Sequence, residues 1–151
     1  MPVKQNIQLM QRWFQEVWNE GRTQSVYDLM SPNAVGKGQT GPQGAEVHGP
    51  AEFVPFVERI RGAFPDMKLT IEDIFGAKDK VVVRWSATMR HSGEGLGLAP
   101  TSKPVQLTGT SIARILEGQI VEGWDNWDQL GMLEQIGAYK QPEAVILAKS
   151  A

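Results

Sequence analysis

The hydrophobic period of this chain changes once, at Pro65, and that change decides what it can fold into. Before Pro65, apolar residues recur at spacings of three and four. Ile7, Met10, Phe14, Val17 and Trp18 do so between Lys4 and Glu20, then Val26, Tyr27, Leu29 and Met30, then Phe53, Phe56, Val57, Ile60 and Phe64. Each set occupies one face of a helix. After Pro65, the segments Met67–Phe75, Lys80–His91, Val105–Leu116 and Gln119–Asp128 are rich in β-branched and alternating residues, with Gly, Pro, Lys and Asp between them. They read as strands. Gly21 stops the first helix, the second runs from near Thr23 to the residues before Pro32, and Pro50 suits the first turn of the third. Pro55 is discordant, but it lies close to that first turn, where a missing amide costs less than in mid-helix. Three helices followed by four strands predict an α+β domain in which N-terminal helices cover one face of a curved antiparallel sheet, a shape able to enclose a pocket.

Two segments fall outside this pattern. Ser31–Gly49 is polar and carries Gly36, Gly38, Gly41, Gly44 and Gly49, so it reads as a mobile loop or lid. Gly131, Met132, Leu133 and Ile136 suggest a short last helix. The tail beyond Gly137 holds Pro142 and an apolar patch, Val145–Ala148, expected at an edge or a subunit contact.

With 151 residues, one domain spanning 1–151 is expected, its core at about 4–137 and its tail at 138–151. A net charge of −2 offers nothing to attract nucleic acid or an anionic membrane surface. The absence of cysteine removes disulfides, thiol catalysis and thiolate metal sites. Two histidines, His48 and His91, are too few and too far apart to specify a metal centre. No apolar leader or membrane-spanning run is evident, so a cytoplasmic protein is expected.

The residues able to carry chemistry gather in the hairpin from Gly109 onward, where Asp125 and Asp128 sit among tryptophans. A carboxyl held beside large apolar rings has its pKa raised toward that of a working acid or base. Aspartates at strand ends also cap the helix that follows, and Asp128 reads as such a cap. The turn at Leu116, Glu117 and Gly118 sets the register. A two-residue type I′ turn forces positive φ on Glu117, whereas a three-residue loop with a bulge needs it only at Gly118, and the latter is expected. It pairs Ile115 with Gln119, Ser111 with Gly123 and Gly109 with Asp125, and sets Ser111, Asp125 and Trp127 on one face. His91, at a strand end before Ser92 and Gly93, is open to two readings: proton donor to a substrate, or hydrogen-bonding partner of the following bend. Gly36, Lys37 and Gly38 lack the spacing of a phosphate cradle. Among Trp13, Trp18, Trp85, Trp124 and Trp127, two or three could line a flat pocket.

A longer set of residues carries a resemblance. Asn19, Gly21 and Arg22 come first, then Gly49–Phe53 and Ala63, Phe64, Pro65 and Asp66. Arg90–Gly93, Leu96–Leu98, Pro100, Thr101 and Lys103 follow, then Gly109, Arg114, Ile115, Gly118 and Ile120, and finally Asp128, Gly131, Leu133, Gln135 and Gly137. In order and spacing this resembles the SnoaL-like polyketide cyclases over roughly residues 7–137. The resemblance implies the cone-shaped nuclear transport factor 2-like fold and a homodimer or higher homo-oligomer. It further implies ring closure by intramolecular aldol condensation without metal or organic cofactor. By the same resemblance Asp125 is the acid/base residue and Trp18 and Phe56 line the substrate cavity; His91 and Ser111 are read in addition as assistants of Asp125, and Trp85 and Trp127 as further contacts to a small apolar or aromatic substrate. Ser111 stands where the family can carry a histidine, and a serine cannot titrate near neutral pH. A hydrolase or isomerase of the same fold, or a ligand-binding module without catalysis, are the alternative readings.

Overall fold

The computed structural model describes residues 2–40, 44–140 and 142. Helix α1 (Val3–Arg12) passes without a break into a π-helical segment (Trp13–Asn19), and α2 (Gln24–Leu29) follows. The expected first helix is therefore one element in two windings. The wider π turn lets neighbouring bulky residues share the inner face: Trp13, Phe14 and Val17 are buried and Trp18 is half-buried. Gly21, at φ 67°, ends the element. The Asn19 side-chain amide then exchanges two bonds with the Leu69 backbone, at 2.7 and 3.0 Å, and satisfies peptide groups of an edge strand that would otherwise lack partners.

Glu16 ties this helix to α2. Its carboxylate accepts from Arg12 at 2.8 Å and from the Ser25 hydroxyl at 2.7 Å. Those bonds hold its pKa down, from 4.5 to about 2. A depressed carboxyl contributes stability that is present above its ordinary value and lost as the pH falls toward the folded value. Arg12 is largely exposed, so water screens the pair and the contribution is roughly 1 kcal/mol or less. Glu16→Gln is expected to lower stability by that amount at neutral pH and to flatten the acid limb of a denaturant-midpoint profile between pH 4.5 and 2.

The sheet has six strands in the order β2-β1-β6-β5-β4-β3: β1 (Met30–Gly38), β2 (Val47–His48), β3 (Lys68–Ala77), β4 (Lys80–Arg90), β5 (Pro104–Leu116) and β6 (Gln119–Trp127). Helix α3 (Gly49–Ala63) lies between β2 and β3, and α4 (Gln129–Gln135) closes the described fold. The architecture is α+β with N-terminal helices packed on the sheet, and the four predicted strands lie within about two residues of their expected bounds. Two expectations are corrected. Met30–Gly38 is a strand rather than a loop, and it pairs parallel to β6, so the sheet is mixed and not purely antiparallel. The physical reason is that β1 is covered without needing large side chains: Ala34 is buried at 1% exposure, Gly36 lies close against the Thr40 side chain, and Gly38 lies close against the Asp125 backbone. The sheet also stays open, with β2 and β3 as its edges.

The core lies between helices and sheet, where Phe53, Val57 and Phe64 of the third helix region share one buried cluster with Val81, Val83, Ala87 and Ile115. Among the described residues no helix is long and apolar enough to cross a membrane. The Val145–Ala148 patch lies outside the described residues.

Candidate active site

The β5–β6 turn is of the type not expected. Leu116 pairs with Gln119, and Glu117 and Gly118 both take positive φ, 50° and 77°. Val121 then bulges, so that Ile115 pairs with Ile120 but Arg114 with Glu122. Tight turn and bulge each slide the pairing by one residue in the same direction. The sum beyond the bulge is a two-residue shift, which leaves the side chains from Glu122 to Trp127 on their expected faces, while Gln119 and Ile120, before the bulge, exchange theirs. It sets Asp125 directly opposite Ser111, and Gly109 opposite Trp127.

A cavity opens on that face of the sheet, walled by Trp13, Phe14, Trp18, Phe53, Phe56 and Trp85 with methionines and aliphatic residues between them. Asp125 is the only ionisable side chain among the described residues that line it. Its Oδ1 accepts the Ser111 hydroxyl at 2.6 Å, and its Oδ2 lies 2.8 Å from the Thr40 hydroxyl. The residue keeps some accessible surface, but its carboxyl is desolvated. That burial pushes its pKa above the ordinary carboxyl value, against the pull of the two hydroxyls. Behind Ser111, the Trp85 indole N–H donates to the serine oxygen at 3.1 Å. Trp85 reaches it by lying across Gly109, its partner in β4–β5 pairing: a Cβ on Gly109 would stand 2.3 Å from the ring.

The structure thus brings Asp125, Ser111, Trp18, Phe56, Trp85 and Trp127 to one cavity. Trp18 meets Phe53 and Phe56 edge-on, each at a centroid distance of 6.0 Å, the arrangement aromatic quadrupoles favour. His91 is not among the cavity-lining residues. It is fully buried against Phe64, with Nδ1 3.1 Å from the Thr101 hydroxyl and 3.3 Å from the Thr101 amide, which donates to it. It therefore orders the chain from Ser92 to Thr101. Asp128 accepts from the Gly131 amide at 2.9 Å and caps α4. Among the described residues no three His, Cys, Asp or Glu side chains gather as a metal site would require.

The sequence reading missed Thr40, which is 2% exposed. It lies in the segment read as mobile, yet residues 38–40 of that segment are tightly held. Gln39 N–H donates to the Asp125 carbonyl at 2.7 Å, Trp127 N–H donates to the Gln39 side chain at 2.6 Å, and the Trp127 indole donates to the Gln39 carbonyl at 3.0 Å. Gly38, at φ 74°, approaches Asp125 so closely that a Cβ would stand 2.4 Å from its carbonyl oxygen, and a Cβ on Gly36 would stand 2.7 Å from the Thr40 methyl. Gly36, Gly38 and Gly49, read as flexibility, are close-approach positions, and that was the signal available.

The sequence model of the SnoaL-like polyketide cyclase family matches residues 8–136. Three solved structures resemble the chain closely. IdmH of Streptomyces antibioticus, described as a polyketide cyclase, is 30% identical over 86% of this chain and 96% of its own, with a TM-score of 0.73. AclR of Streptomyces galilaeus, described as a hydroxylase, is 26% identical over 95% and 93%, with a TM-score of 0.79. A protein of Jannaschia sp. CCS1 described as a SnoaL-like polyketide cyclase is 23% identical over 91% and 95%, with a TM-score of 0.81, a likeness of fold. The fold is the nuclear transport factor 2 and ketosteroid isomerase-like one. Among curated proteins none matches significantly.

Proposed function

The chain belongs to the SnoaL-like polyketide cyclase family, and from that premise we propose that it closes a ring in a flat, apolar polycarbonyl molecule by intramolecular aldol condensation, with Asp125 as acid and base and no cofactor. The observation that carries the reading is a single carboxyl, its pKa raised by burial and held by two hydroxyls, in a cavity otherwise walled mainly by aromatic and aliphatic side chains. Asp125 as carboxylate takes a proton from a carbon flanked by carbonyls. The resulting enolate forms the new C–C bond to a carbonyl carbon of the same molecule, and the alkoxide recovers the proton from Asp125. Substrate conjugation stabilises the enolate, so the protein's contribution is position and one tuned base. Ser111 holds the carboxyl, while Trp18, Phe56, Trp85 and Trp127 offer faces to a planar substrate.

A hydrolase working through paired acids needs a second carboxyl in the cavity, and Asp125 has none among the described lining residues. The test is mass spectrometry of an aromatic polycarbonyl ester incubated with the protein. Ring closure yields a product of unchanged mass with a new chromophore. A free acid and a released alcohol whose masses together exceed that of the ester by one water support a hydrolase, and quenching of tryptophan fluorescence without any product supports a binding module.

A further inference from the structure

One hydroxyl in the cavity faces two acceptors. Thr40 Oγ1 lies 2.6 Å from the Lys37 carbonyl oxygen and 2.8 Å from Asp125 Oδ2. A hydroxyl has one proton to give, and a carbonyl oxygen can only accept. While Thr40 donates to Lys37, it meets Oδ2 with a lone pair, so Oδ2 must itself carry a proton. When Thr40 donates to Oδ2 instead, the carboxyl is ionised and the Lys37 carbonyl gives up the threonine's hydrogen bond.

The other carboxyl oxygen has no such freedom. The Trp85 indole N–H is a donor only and occupies the Ser111 oxygen, which directs the serine's own proton to Asp125 Oδ1. Oδ1 is an acceptor in both states, and the titrating proton belongs on Oδ2.

We propose that Thr40 is a positioning residue acting as a two-way proton switch: its hydroxyl donates to the Lys37 carbonyl while Asp125 is a neutral acid, and turns to donate to Asp125 when the acid ionises. Both protonation states of the carboxyl then keep a partner at each oxygen. A group that must give and take the same proton needs the two states close in free energy, and a hydroxyl that reverses its role narrows the gap. The inference rests on the reading of Asp125 as the acid/base group but requires no substrate. No other ionisable group among the described lining residues faces Asp125. The nearby charges on β1, β5 and β6 pair among themselves outside the lining, with Lys37 at 2.9 Å and Arg114 at 3.1 Å from Glu122. Glu122 titrates below the ordinary carboxyl value and Asp125 above it, so the two steps separate.

The experiment is carbon-13 NMR of the full, ligand-free chain labelled at lysine carbonyls and aspartate carboxyls, followed across pH. The Lys37 carbonyl and the Asp125 carboxyl are expected to move with one shared midpoint. Thr40→Ser keeps the shared step. Thr40→Val shifts the Asp125 midpoint upward and leaves Lys37 without a step there. Asp125→Asn holds Lys37 at its low-pH position throughout and serves as the control if Thr40→Val does not fold. A wild-type Lys37 carbonyl that stays flat across the Asp125 midpoint overturns the switch. Coupled titration in a protein that cyclises nothing leaves the switch standing and overturns the cyclase reading instead.

Discussion

Asp125→Asn is expected to lower ring-closing turnover by about 10²–10⁴-fold, the usual worth of a positioned acid/base group, while raising the melting temperature at neutral pH. Both effects come from one feature. The carboxyl is desolvated, and its pKa in the folded protein lies above the ordinary 3.8. For a carboxyl raised on folding, the native state binds the proton more tightly than the unfolded chain does. Its favourable contribution is full at acid pH and fades as the pH rises from the ordinary value through the folded one. Above the ordinary value the wild type must therefore either hold an ion in a place that disfavours it or take up a proton on folding, and both cost stability. Asparagine has the shape of the protonated acid, with an oxygen to accept from Ser111 and an amide to donate to Thr40. Calorimetry across pH should show the two melting curves converging at acid pH and the variant the more stable above it. A variant no more stable at pH 7, or one that retains turnover, would refute the assignment.

Gly109→Ala carries the second large effect. The added methyl would stand 2.3 Å from Cζ2 and 2.7 Å from Cε2 of Trp85, and the far end of a rigid buried ring cannot bend aside. Either Trp85 leaves its rotamer or β4 and β5 separate, at a cost of about 1–3 kcal/mol for an overpacked core site. For a chain of this length that corresponds to a loss of roughly 2–12 °C in melting temperature. The indole also loses its bond to Ser111, which frees the serine proton from its aim at Asp125. Trp85→Phe shortens the ring, so the double variant should lose less stability than the two single changes added together. Strict additivity by thermal denaturation would show that the two residues do not press on one another.

Much of this molecule was legible in the order of its residues. The three-and-four spacing of Phe53, Phe56, Val57, Ile60 and Phe64 gave α3, and the alternation from Val81 to Met89 gave β4, because burial on one face imposes a period. β1 was hidden because a strand covered by close backbone contact needs no alternating large residues, and its Pro32, Gly36 and Gly38 resemble punctuation. The hairpin register was misread at Glu117, where pairing on either side outweighs the small strain of positive φ. From Glu122 onward face was still right, because turn and bulge together moved the ladder by an even count. Thr40 could not be placed on Asp125 from spacing at all. The two are 85 residues apart, and only the parallel pairing of β1 with β6 joins them.

That pairing has a consequence for how the protein comes to be active. Contacts that close long loops form late, since their entropic cost precedes their reward. During synthesis the β1 strand leaves the ribosome long before β6 exists, so Gly38 and Thr40 wait without the partner that holds them. The last hairpin brings Asp125, Ser111 and the anchor for Gln39 in a single docking event. Acid/base competence should therefore appear only at the final stage of refolding, after the α3 and β3–β4 contacts are in place, and recovery of activity should lag behind recovery of helical circular dichroism.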